Sequence, residues 1–127
     1  MASSQPALDL GPDRQTTVAK AMLRAAGLLG LSARDLSAIV GVSEATLSRL
    51  KHGQGAAGLS GKAYEIALLF IRLYRSLDAI TGGDDEVSRR WLRADNTALG
   101  GVPAERIRTI DGLAHVLAYL DARRAPL

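Results

Sequence analysis

The chain of 127 residues contains no cysteine, which excludes disulfides and thiolate metal sites. Aromatic residues make up only 4% of it, with one Trp and one Phe. No apolar run reaches the roughly 20 residues that a membrane span requires. The opening MASSQPALDLGPDR lacks the apolar segment of a secretory signal, so the expected localisation is cytoplasmic. The two histidines, His52 and His115, stand far apart in the sequence, and no carboxylates cluster in a glycine-shaped pocket. With nothing to activate a nucleophile, neither an enzyme nor a metal or cofactor is expected. The one glycine-rich stretch, with Gly53, Gly55, Gly58, Gly61 and Lys62, invites comparison with a phosphate-binding P-loop. It fails at Ala56, where the first glycine belongs, and at Ala63, where the magnesium-binding hydroxyl belongs. It reads instead as a flexible joint.

What the chain does contain is Ala, Leu and apolar positions at helical spacing, with few β-branched alternations, which predicts an all-α fold. Its net charge of +3 is unevenly placed. Residues 15–60 hold Lys20, Arg24, Arg34, Arg49 and Lys51 against Asp35 and Glu44, whereas the remainder is nearly balanced. A basic excess permits nucleic-acid binding without requiring it.

The basic segment is organised around Leu31–Gly53. Ser32 is placed to cap a short helix, Gly41 to take the positive φ of the following turn, and Ser43 to cap a second helix. Leu36, Ile39, Val40, Val42, Leu47 and Leu50 fit two helices crossing over a small core. This leaves Glu44, Ala45, Thr46, Ser48, Arg49 and Lys51 outward on the second helix, with His52 at its end. Short polar groups and cations are the equipment of a helix that reads base edges and phosphates. Together with Arg34 and Ser43, these are the candidate DNA-binding residues.

Before this unit, residues 1–14 read as a tail, and a supporting helix is expected from Thr16 or Thr17, with Val18, Met22, Ala25, Ala26 and Leu29 on one face. Residues 61–81 predict a long helix of roughly 30 Å. Its main stripe runs from Ala63 to Ile80, and a second stripe is formed by Tyr64, Leu68 and Ile71. So wide an apolar arc must be buried on more than one side, against both halves of the chain and, through the second stripe, against another copy of itself. Short helices follow. One is capped by Asp84 or Asp85 and faces Val87, Trp91 and Leu92 inward, a second starts at Pro103 and ends near Thr109, and a last one is capped by Asp111. On that last helix Leu113, Val116, Leu117 and Leu120 form the inward stripe, while His115, Tyr119 and Arg123 share another face.

The stretch GVSEATLSRLKHG resembles the helix-turn-helix of Xre-type, phage-repressor-like regulators, with Ser37 standing where that family usually has Ala. The segments GKAYEIALLFIRLYRSLDAITGG, RRWLRADNTALGGVPAERI and DGLAHVLAYL are similar to the Xre/MbcA/ParS toxin-binding domain of type II antitoxins. They carry Trp91-Leu92, Asn96, Leu99-Gly100-Gly101, Pro103, Gly112 and the Val116–Leu120 helix in that family's order. The resemblance implies a helix-turn-helix module over 15–59 and a toxin-binding and dimerisation domain over 60–127. It further implies an antitoxin for a RES-domain toxin that depletes NAD, acting by occlusion of the toxin's cleft. The same protein would repress its own operon as a homodimer on palindromic operator DNA. The implied plug is the end of the last helix and its tail, with His115, Tyr119, Leu120, Asp121, Arg123, Arg124, Pro126 and Leu127 as candidate toxin-binding residues. In this picture Asp121 and the terminal carboxylate imitate anionic substrate groups. The residues alone also fit a stand-alone regulator whose second half only dimerises or senses a ligand.

Overall fold

A computed structural model describes residues 11–55 and 58–124. Among the described residues seven α-helices follow one another: α1 (Gly11–Leu28), α2 (Ala33–Val40), α3 (Glu44–Lys51), α4 (Gly61–Ile80), α5 (Asp85–Arg93), α6 (Pro103–Arg106) and α7 (Ile110–Arg124). A 3₁₀ turn, Thr97–Leu99, lies between α5 and α6. The described residues form no strand, only an isolated bridge between Asn96 and Gly101.

The first helix begins earlier than the expected Thr16, taking in residues 11–14. Pro12 lies in its first turn, where the N–H that proline lacks has no intrahelical partner in any helix. The next two helices follow their caps. Ser32 accepts from the Asp35 amide at 3.0 Å and Asp35 Oδ2 accepts from the Ser32 amide at 3.0 Å, a reciprocal capping box. Gly41 closes α2 with φ of 83°, and Ser43 accepts from the Thr46 amide to open α3. The Ser37 hydroxyl, standing where Ala is usual, donates to the Val42 carbonyl and ties α2 to the turn.

Helix α4 is the centre of the molecule. Ala67, Phe70, Leu73 and Leu77 are fully buried, and the helix packs on α1 and α2 from one side and on α5 and α7 from the other. One continuous set of buried residues runs from Val18 through Leu59 and Phe70 to Leu120. Of the segment read as a flexible joint, Leu59 is part of it. Leu59 has no exposed surface, Gln54 N–H donates to the Arg49 carbonyl at 2.8 Å, and Gly58 lies against the Thr46 methyl. Burial of Leu59 ties the start of α4 to the core by the same apolar transfer that fixes a core helix.

Ile71, assigned above to a second-copy interface, is instead 8% exposed and belongs to the seam between α4 and α1. Leu68 is exposed and Tyr64 half-buried. Further along, Asp84 caps α5, with its Oδ1 accepting from the Glu86 and Val87 amides. Helix α6 ends at Arg106, short of Thr109. Thr109, not Asp111, caps α7: its Oγ1 accepts from the Gly112 amide at 3.0 Å. Asp111 lies one residue inside the helix and is exposed.

Candidate functional site

Two surfaces carry the residues singled out by the sequence. On α3, Leu47 and Leu50 are buried, and the face opposite them presents Ala45, Ser48, Arg49 and His52, all exposed. Glu44 and Lys51 flank this face and, with Ser48 and His52, border a groove of about 510 Å³ whose floor includes Leu23, Leu36 and Leu47. Thr46 flanks it on the other side, half-buried beside Gly58. The outward face is also pre-ordered. Ser43 Oγ donates to Thr46 Oγ1 at 2.9 Å, and Arg49 Nη2 donates to the same Thr46 oxygen at 3.1 Å, so the guanidinium is steered by a chain that starts at the helix cap. His52 Nδ1 donates to the Ser48 carbonyl at 2.8 Å, joining the His52 amide, which reaches the same oxygen at 3.2 Å. Arg34 is exposed in the first turn of α2. The structure thus gathers the predicted residues on and beside one helix face, with short hydroxyls and cations able to meet base edges and phosphates.

The second surface lies on α7 and α5. The inward stripe of α7 is Leu113, Val116, Leu117 and Leu120, and Leu120 is 1% exposed. It holds α7 down on α4, so as a partner contact it is corrected: a side chain without surface has nothing to offer a partner. Asp121 is likewise engaged within the chain. Its Oδ1 accepts from Ser76 Oγ at 2.6 Å and its Oδ2 from Arg72 Nη2 at 3.0 Å. Arg124 Nη1 donates to the same Ser76 hydroxyl at 3.1 Å. The carboxylate therefore works as a staple between α7 and α4, with its charge already met by Arg72. Pro126 and Leu127 lie outside the described residues.

What stays outward on α7 is His115, Tyr119 and Arg123, with His115 and Arg123 exposed and Tyr119 half-buried. The Tyr119 ring stacks on Trp91 of α5 with centroids 6.4 Å apart, and the Arg123 guanidinium sits 5.0 Å from the Tyr119 centroid. Trp91, read as core, is only half-buried, because the inward positions of α5 are taken by Ser88 and Leu92. Periodicity places Tyr119 and Arg123 on one face of α7, but it had no means of adding Trp91, which comes from a helix that meets α7 only after folding. Among the described residues no three metal-ligating side chains converge.

Residues 10–72 match the family model of the antitoxin Xre-like helix-turn-helix domain, and residues 76–125 match that of the antitoxin Xre/MbcA/ParS C-terminal toxin-binding domain. The chain belongs to the Xre/MbcA/ParS antitoxin family. As a type II antitoxin it joins a DNA-binding helix-turn-helix to a toxin-binding part, and the two matched segments meet inside α4 of the antitoxin. No curated protein matches this antitoxin. No helix among its described residues is long and apolar enough to cross a membrane.

Proposed function

We propose that this antitoxin neutralises a RES-domain, NAD-depleting toxin by covering its cleft with the outward face of α7, and that it represses its own operon as a homodimer through α3. The observation that carries the first half is the Trp91–Tyr119–Arg123 stack. It is a half-exposed aromatic pair with a cation on it, set near the end of the chain within the segment matched as toxin-binding. Aromatic and arginine side chains held rigid before binding are the usual energetic centres of protein interfaces. Inhibition of this kind needs coverage, not chemistry. The second half is supported by the ordered Ser43–Thr46–Arg49 chain on an exposed helix face. A two-fold repressor matches a palindromic operator by symmetry.

The test is co-expression with the adjacent open reading frame, affinity purification and an NAD assay. A co-purifying partner whose NAD consumption is suppressed by this chain, and restored by Tyr119→Ala with its roughly hundredfold weaker binding, is the expected result. A chain that dimerises and binds DNA but captures no such partner would instead be a stand-alone regulator.

A further inference from the structure

The turn between α1 and α2 is covered by arginines from the other half of the chain. Arg89 Nη1 donates to the Leu28 carbonyl at 3.0 Å, and Arg93 Nη2 to the Gly30 carbonyl at 3.0 Å, so two residues one turn apart on α5 cap the end of α1. Gly30 permits the approach, because a Cβ there would stand 2.9 Å from Arg89 Cδ. Beyond the turn, Asp35 in the first turn of α2 receives Arg108 at 2.9 Å and Arg93 at 3.5 Å. One carboxylate set against two guanidinium groups leaves a net positive charge. Both side chains keep half their surface in solvent, 52% for Arg93 and 45% for Arg108, whereas Asp35 keeps 19%. Arg34, beside Asp35 in sequence, adds a third exposed cation.

The position of this cluster gives it a partner. When the second helix of a helix-turn-helix enters the major groove, the first crosses the sugar-phosphate backbone. Here that first helix is α2, and its opening turn is where Arg93 and Arg108 are anchored. We propose that the DNA-contacting surface extends beyond the helix-turn-helix onto Arg93 and Arg108, which contact backbone phosphates beside the first turn of α2. Asp35 serves as their anchor, orienting the two guanidinium forks while leaving N–H donors free for phosphate oxygens. The inference rests on the DNA-binding reading of α3. It adds that the half of the chain matched as toxin-binding also touches the nucleic acid.

The experiment measures binding of the full chain to a short mixed-sequence duplex by fluorescence anisotropy across a salt series. Each phosphate contact contributes about −0.9 to the slope of log K against log salt. The double variant Arg93→Gln/Arg108→Gln is expected to reduce the magnitude of that slope by roughly 1.8, with an unchanged circular dichroism spectrum. The charge-keeping Arg93→Lys/Arg108→Lys is expected to retain it. If the slope of the glutamine variant is unchanged while Arg49→Ala weakens binding, the extension falls and the reading of α3 stands. If the lysine variant loses slope as fully as the glutamine variant, the arginines only brace α2 and the extension also falls. Absence of binding by the unsubstituted chain at low salt would remove both readings together.

Discussion

Gly112 sits where α7 begins, and a methyl group added to it would overlap the Arg106 carbonyl of α6. Neither partner has room to yield, because one is helix backbone and the other the last turn of α6. Gly112→Ala is therefore expected to destabilise the fold by about 3 kcal/mol, at the upper end of overpacking costs, read as a lower midpoint in urea. Asp35 makes a prediction in pH. The Ser32 amide, then the Ser32 hydroxyl, Arg108 and Arg93, hold its carboxyl below the ordinary 3.8, with burial opposing them. Since the folded value is the lower one, the stabilisation is complete above about pH 4, and it is lost as pH falls through the folded value. Asp35→Asn should cost about 1 kcal/mol at pH 7, the scale of a lost cap, and the difference from the unsubstituted chain should vanish in acid melts.

At the scale of helices, α7 is held by an apolar stripe and one polar staple. Ser76 is 1% exposed and serves Asp121 and Arg124 at once. Ser76→Ala should cost about 1 kcal/mol, since both partners reach water and can rehydrate, and hydrogen exchange should quicken in the last turn of α7 before it does in α4. The caps at Ser32 and Ser43, the left-handed Gly41 and the buried stripes of α2, α3 and α7 were all legible in the sequence, because each depends on residues within one or two turns of each other. The misread features depend on distant partners. Leu59 reads as a joint residue in the sequence because only the folded core shows what it enters, and the Asp121 staple is hidden there because its hydroxyl partner lies 45 positions away. Trp91 followed the reverse error. A lone tryptophan on an apolar stripe is ordinarily core, yet here Leu92 fills the inward position and leaves the indole to Tyr119.

For the molecule as a whole, the continuous core from Val18 to Leu120 predicts a single cooperative transition. The one tryptophan, Trp91, reports on the C-terminal half, while far-ultraviolet circular dichroism reports on all helices. The two thermal curves are expected to coincide, whereas two independent units would separate them. On the same grounds a fragment ending before Gly61 loses the α4 face that covers α1 and α2, and it should remain unfolded in isolation.

The shared helix also limits how such proteins can be recombined. A chimaera that takes its DNA-reading half from one antitoxin and its toxin-covering half from another has no neutral seam, because a cut anywhere in α4 gives one of the two halves a foreign floor. Under the function proposed above, exchange of target specificity is confined to the outward faces of α3, α5 and α7, where side chains change without disturbing Phe70 and its neighbours.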